Sequence, residues 1–426
     1  MDSVFKAAEL LLPAETVDMQ TWPTLACDQF TSQPDYWQKA EALCQNGPST
    51  LHITLPEAHL ADANVATRIA DIHKTMCSYA ENVLTKAVHG FVYVKRKTQS
   101  GVRQGLVGAV DLEVYSYEKN AAPLVRPSEN TVVERIPPRL AVRREACLEA
   151  PHILMLLDDA AHTVIEPIDA QTEKMTQLYD TDLMLGGGHI TGWAVTDAAQ
   201  IAQIEAQIMA FSAQNVFDAR YPAASGKPPI ALAVGDGNHS LATAKAYWEE
   251  IKATLPPEKR AQHPARYALA ELVNIHSDAI QIEPIHRAIF GTDAATFTNA
   301  FAAWLAQNGA ENDDANHPQR FVCIGKTEQT LETKASPCPL AVGTLEAFLA
   351  AFCTKYPAVT VDYIHDADAL HAVCRTQNAV GVLLPPFAKS DLFRGVVLGG
   401  VLPKKTFSMG TATEKRYYLE CRKIAL

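Results

Sequence analysis

Asp236, Asn238, His239 and Ser240 stand with Gly235 and Gly237 at one corner of the chain, in the stretch IALAVGDGNHSLATAKAYW over 230–248. A carboxylate, an amide, an imidazole and a hydroxyl between two glycines exceed what a turn requires. The apolar run 230–234 lacks helical period and reads as a buried strand. Leu241, Ala244, Trp248 and Ile251 then fall on one face of a helix. The first amides of such a helix have no intrahelical partner, and with the helix dipole they form a ready anion site, phosphate being the usual occupant. Gly235 and Gly237 let backbone approach the ligand, Asn238 or Ser240 can cap, and His239 can donate to a phosphate oxygen or move a proton. Asp236 repels a phosphate unless a divalent cation bridges them or the carboxylate accepts a proton from an attacking hydroxyl. The alternative is a capped turn in which Asp236 and Asn238 bond only to local backbone. The corner fits neither a Walker A loop nor the G-x-G-x-x-G dinucleotide pattern.

A second constellation is YDTDLMLGGGHITGW over 179–193. Asp180 and Asp182 lie two residues apart, on one side of an extended chain, and paired carboxylates suit Mg²⁺. Gly187, Gly188 and His189 follow and could meet a ligand with backbone amides and an imidazole. A surface Asp pair before a loop is the simpler account. Elsewhere Glu129 could act as a general base or a helix-start cap. Arg287, beside His286, could grip phosphate or serve structure. Lys404, Lys405 and Thr406 could reach a phosphate or remain solvated. Asp28 precedes a helix start at which Ser32 or Asp35 is a cap.

The elements that must carry these residues follow from periodicity. The spacing predicts a helix over 65–84, a hairpin turning at Thr-Gln-Ser-Gly 98–101, and a buried strand over 152–159. It predicts a strand leading into a helix at 198–213, and a strand over 266–275. Beyond 290, helices near 294–305, 345–354 and 366–374 alternate with strands at 321–324, 359–363 and 379–384. This is an α/β or α+β chain with a mixed sheet and accessory regions. Composition divides it into an N-terminal α+β region 1–120 with the hairpin, a central domain 121–290 with the corner, and a C-terminal α/β region 291–426.

At 426 residues the chain can bury several cores, and 48% hydrophobic with 20% charged residues describes a globular protein. A net charge of −11 argues against non-specific nucleic-acid binding, which draws on Lys and Arg. The basic run RIPPRLAVRR, 135–144, is the one local exception, and a solvated helix face explains it equally well. Nine scattered cysteines without a C-x-x-C pair read as reduced thiols, and with no signal-like N-terminus the expected compartment is the cytoplasm. No apolar run approaches the roughly 20 residues of a membrane helix.

Together ACDQFTS, RPSENTVVERIPPR, YDTDLMLGGGHI, GDGNHSLATA, LVNI with PIHR, and LPKKTF resemble a prokaryotic family catalogued as domain of unknown function 1015. The family's central motif is Asp-Gly-His-His-Arg, similar to that of the ParB/sulfiredoxin-like fold, whose members include nucleotide-binding partition proteins and free-serine kinases. The resemblance implies a phosphate-binding βα turn with Asp236, Gly237 and His239 at the phosphate, and Asp28 and Glu129 near the cleft. It implies ATP or ADP with Mg²⁺ as cofactor, on Asp180, Asp182 or Asp236. A small hydroxyl compound such as serine would be the phosphoryl acceptor, and Asp236 or Glu129 the proton acceptor. Two departures stand out: Asn238 replaces the first His, and Ser240 replaces the Arg that would grip phosphate bidentately. Lys404, Lys405, Arg287 or a metal would then have to supply the charge. The readings are a nucleotide-dependent phosphotransferase, a non-catalytic nucleotide or small-ligand sensor, or a metal-dependent phosphoesterase. The expected partners are a nucleotide and a small substrate, with neither nucleic acid nor membrane, and self-association is left open.

Overall fold

The structure is a computed structural model that describes all residues except 1, 2, 32, 119, 120, 151, 310–317, 387, 404 and 426. It divides into two units. The first comprises Met1–Pro127, Thr131–Ile280 and Gly410–Leu426, and the second Ser128–Asn130 and Gln281–Met409. These bounds differ from divisions at 120 and 290, because strands from both sides of residue 120 share one sheet and the chain's last residues fall in the same unit as that sheet.

The first unit opens with β1 (Phe5–Lys6), β2 (Ala8–Leu12) and β3 (Thr24–Leu25), then α1 (Pro34–Cys44) and α2 (Val65–Asn82). The long hairpin of β4 (Lys86–Thr98) and β5 (Gly101–Asp111) pairs Thr98 with Gly101, as the sequence predicts. After β6 (Val125–Pro127) come α3 (Ile136–Arg143), β7 (Leu148–Glu149), β8 (Leu154–Leu157) and the short α4 (Glu166–Asp169). A second hairpin, β9 (Gln177–Leu183) and β10 (Gly188–Val195), leads to α5 (Ala198–Ala210) and α6 (Gln214–Arg220). Next are β11 (Leu232–Asp236), α7 (Asn238–Thr254), α8 (Pro257–Arg260) and β12 (Tyr267–Asn274).

The sheet runs β6-β11-β8-β12-β5-β4-β10-β9, with β1 added on β5 and β2 on β4. It is mixed: β6 with β11 and β8 with β12 are parallel, the other pairs antiparallel. Both faces are covered, and the period of two along a strand assigns each side chain to a layer. On β4, Phe91 and Tyr93 enter the core beneath α2, α3 and α7, whereas Val92 and Val94 enter another with Trp37 and Tyr417. On β12, Glu271 shares the face of Leu269. There Arg103 (3.3 Å) and Arg416 (3.2 Å) pair with it, and Arg416 also holds Glu420 at 2.7 Å. A buried carboxylate is tolerated here because two guanidiniums share it.

The second unit contains β13 (Ile282–Pro284), β14 (His286–Phe290), α9 (Ala294–Asn308), β15 (Gln319–Ile324) and β16 (Glu328–Thr333). It continues with α10 (Ala341–Lys355), β17 (Thr360–Ile364), α11 (Ala367–Gln377), β18 (Val380–Leu383), α12 (Lys389–Gly399) and β19 (Phe407–Met409). Its five-stranded sheet has the order β16-β15-β18-β14-β17, and β13 pairs separately with β19. The tail returns to the first unit, where β20 (Tyr417–Tyr418) pairs with β3 and β21 (Arg422–Lys423) with β7. Among the described residues no helix is long and apolar enough to cross a membrane.

Candidate functional site

The corner forms as its sequence predicts. β11 ends at Asp236, Gly237 takes φ 80° and ψ 27°, and α7 begins at Asn238. A residue with a Cβ pays to adopt that left-handed conformation, which is why glycine stands there. Gly237, the N-cap, brings no side chain to cap the helix, and the helix start carries the positive end of the dipole. The helix is anchored from behind by Leu241, Ala244 and Trp248, all buried. Lys245 points elsewhere, to the Leu112 carbonyl at 2.8 Å and Glu249 at 2.6 Å.

Charges converge on this helix start from four other segments of the first unit. Lys415 Nζ lies 3.1 Å from Asp236 Oδ2, while Asp236 Oδ1 accepts the Gly237 amide at 3.1 Å. Asp236 is therefore both a local turn acceptor and half of an ion pair. Asp28 Oδ2 lies 3.4 Å from Nε2 of the buried His152. The His152 Nδ1 bonds to the Tyr418 hydroxyl at 2.8 Å, and that hydroxyl accepts the Cys27 amide at 3.1 Å. Burial works against the charge on Asp28, but His152, Gln29 and Lys415 outweigh it and hold the carboxyl well below the usual range. Burial likewise opposes protonation of His152, yet Asp28 raises it well above an ordinary histidine. The two form a carboxylate–imidazolium pair.

His239 behaves oppositely. Its Nε2 accepts the Val132 amide at 3.2 Å, which places the proton of the neutral ring on Nδ1. Burial, with Arg139 and Arg135 nearby, pushes its pKa down to about 4. It is a neutral donor through Nδ1, and its Nε2 is already engaged. The two arginines belong to the basic run, which forms α3 and the residue on either side of it. The run is only partly solvated: Arg139 pairs with Glu57, Arg143 with Glu149 at 2.6 Å, and Arg144 with Glu250 at 2.7 Å. A cleft of about 150 Å³ opens beside these groups, with Ser240, His152, Arg139, Glu57, Arg143 and Glu149 among its polar lining and apolar side chains between them.

The glycine-rich hairpin reaches the site only indirectly. Arg96 donates to the Gly187 carbonyl at 2.8 Å and to the Lys415 carbonyl at 2.5 Å, so it links that loop to the residue paired with Asp236. Gly187 is needed for close packing on the Tyr417 ring and Gly188 for passage over the Lys97 carbonyl. Asp180 and Asp182 project from the outer face of β9. His189 sits between them, 2.6 Å and 2.8 Å away, and Asp182 first and then Asp180 raise its pKa. The expected Mg²⁺ pair is thus a surface ion triad, and among the described residues no group of three or more His, Cys, Asp or Glu could hold a metal.

The other expected contributors lie in the second unit and form a cluster of their own. Arg287 is fully buried, bonded to Glu346 at 2.7 Å and to the Lys405 carbonyl at 3.1 Å, with its guanidinium 4.5 Å above the Tyr363 ring. Its structural duties leave no guanidinium edge for a phosphate. Glu129 accepts the Thr406 amide at 3.1 Å, and burial pushes its pKa up to about 7 against the pull of that amide and its neighbours. The Thr406 hydroxyl is spent on the Pro403 carbonyl at 2.6 Å. Lys405 is exposed with φ 58°, while Lys404 and Ser32 lie outside the described residues.

His152 and Lys415 are the candidate site residues that motif reading passes over, whereas Arg135 and Arg139 belong to the basic run 135–144 that the sequence does single out. His152 had one local signal, a histidine at the head of the apolar run HILMLL. Lys415 had none, being one lysine in a C-terminal segment.

The family described as protein of unknown function DUF1015 matches residues 11–361. The chain belongs to this family. Among solved structures, this member resembles free serine kinase in complex with AMP, 9% identical over 74% of this chain and 91% of that one, with a TM-score of 0.37. A variant of free serine kinase in complex with ADP is 12% identical over 47% of this chain and 74% of that one, TM-score 0.30. A conserved hypothetical protein from Pyrococcus furiosus is 12% identical over 47% and 77%, TM-score 0.28. No curated protein matches the chain in sequence.

Proposed function

We propose that the start of α7 binds the phosphates of a nucleotide and that the adjoining cleft presents a small hydroxyl compound for phosphoryl transfer. The observation that carries this reading is the gathering of charges at the glycine-led start of α7, where Lys415 pairs with Asp236 and the Asp28–His152 pair and Arg139 stand by. Phosphoryl transfer asks a protein mainly to position its reactants and to neutralise charge. The amides of α7, neutral His239 and the arginines before and within α3 do the second. Arg139 lines the same cleft as Ser240, which lacks the guanidinium of the family motif. Asp28 is ionised and a quarter exposed (26%), so it can accept a hydrogen bond from the acceptor hydroxyl and orient its oxygen for attack. Mg²⁺ requires only one or two carboxylates beside phosphate oxygens. Asp236 is the carboxylate that would hold it, and the ion would supply further charge neutralisation.

The test is calorimetric titration with ATP, ADP, CTP and pyrophosphate, with and without Mg²⁺, followed by a search for phosphorylated product with hydroxyl compounds, free serine first. Nucleotide binding is expected in the wild type and in Asp28→Asn, with transfer lost in the variant. Failure of every nucleotide and of pyrophosphate to bind would end the proposal. Binding without turnover of any hydroxyl compound would establish the sensor reading, which the loss of the motif arginine at Ser240 favours.

A further inference from the structure

Cys77 lies in the last turns of α2, and Cys147 in the segment between α3 and β7. They stand 70 residues apart in sequence, yet their Sγ atoms are 3.6 Å apart. A disulfide needs about 2.05 Å, so closure by about 1.5 Å joins them. We infer that Cys77 and Cys147 form a reversible disulfide, a redox modification site of the first unit that is independent of the function proposed above.

The two thiols differ as an attacking and a resolving cysteine differ. Cys77 is exposed, whereas Cys147 is half-buried and hydrogen-bonded to Cys77. Burial, reinforced by Cys77 itself, pushes the Cys147 thiol up to about 11, so Cys77 meets an oxidant first. With a peroxide, the Cys77 thiolate forms an S–O bond as the O–O bond breaks, and the departing hydroxide takes up the thiol proton as water. Cys147 then attacks the Cys77 sulfur. The S–S bond forms, hydroxide leaves from the sulfenic acid and the Cys147 proton converts it to a second water. Two thiols lose two electrons, and one peroxide gains them.

The location gives the bond a consequence. Met76 and Ala146, immediate neighbours of the two cysteines, both line the cleft beside the start of α7. The disulfide would tie α2 to the end of α3 and hold two walls of that cleft together. Seven other cysteines, among them the half-buried Cys27, Cys338 and Cys353, serve as internal controls.

The experiment treats the full chain with one equivalent of hydrogen peroxide, blocks remaining thiols, and maps the peptides by mass spectrometry. The expected product is a single peptide pair joined through Cys77 and Cys147, with an intact mass lower by two hydrogens and restored by dithiothreitol. Cys77→Ser should abolish it, and Cys147→Ser should leave a Cys77 sulfenic acid that dimedone traps. The inference fails if both thiols remain open to alkylation while other cysteines oxidise, or if Cys77 proceeds to sulfinic acid without the joined peptide. Both outcomes are read without any nucleotide, so the disulfide and the nucleotide site stand or fall separately.

Discussion

Replacing Gly237 by alanine tests whether the conformation at the α7 start holds the anion. Gly237 has φ 80°, and Gly226, in the loop before β11, also has φ 80°. The two differ in surroundings: a Cβ on Gly226 meets nothing within 4 Å, whereas one on Gly237 lies 3.0 Å from Ile153 Cα and 3.3 Å from its Cγ1. Left-handed backbone costs alanine about 1–2 kcal/mol, and restriction of the unfolded chain returns about 0.4–1. Gly226→Ala should therefore destabilise by roughly 1 kcal/mol. At Gly237 the same term applies, and the crowded atom is backbone at the entry to β8, which cannot rotate away. Displacing it adds roughly 1–3 kcal/mol, the usual cost of overpacking. The protein should still fold, with its first α7 amides turned from their present directions. Losing one charge-assisted hydrogen bond costs about 1.5–3 kcal/mol, so ADP affinity should fall roughly 10- to 100-fold. Urea denaturation and calorimetric titration of wild type, Gly226→Ala and Gly237→Ala measure both quantities. If Gly237→Ala matches Gly226→Ala in stability and binds ADP like the wild type, the strain argument and the placement of the ligand are both refuted.

Two further outcomes are expected. His239 titrates near 4 when folded and near 6.5 when unfolded. Its neutral form is favoured by folding, so its stabilising contribution is complete above about pH 6.5 and is lost as pH falls towards 4. The fall in urea midpoint between pH 7 and 4.5 should be smaller in His239→Asn than in the wild type, and an equal fall would refute the assignment. Lys415→Met leaves the Asp236 carboxylate uncompensated beside the ligand's phosphates. ADP affinity should drop roughly tenfold or more at low salt, and the difference from wild type should narrow as salt screens the repulsion. An unchanged dissociation constant in titration would remove Lys415 from the site.

Much of the architecture was legible along the chain. The 98–101 turn, the strand at 152–159, the helix at 65–84 and the strand-to-helix change at 236–238 are local patterns, and each is found. Domain limits were not legible in this way. The last residues, Gly410–Leu426, rejoin the first unit through β20 and β21, and no local signal announces a strand pairing with residues hundreds of positions earlier. The glycines of GDGNHS and of LGGGH look alike on paper. In space Gly237 opens a helix start, while Gly187 and Gly188 make room for a tyrosine ring and a carbonyl. The pairing of Asp180 and Asp182 on one side of the strand was correct, but His189 occupies the space between them.

The amino-acid sequence alone determined that a strand-to-helix corner led by a glycine exists, because an apolar run, a glycine and a helical period are short-range features enforced by backbone sterics. It also determined the absence of a guanidinium at Ser240. Only the tertiary structure decided which charged groups gather at that corner: Lys415 from the C-terminal segment, Asp28 from the N-terminal one, His152 from the head of β8, and the arginines before and within α3. Coulombic and desolvation effects depend on distance and burial in three dimensions, and those are set by how the sheet brings distant segments together. The same holds for Cys77 and Cys147, scattered thiols in the sequence and neighbours in the fold.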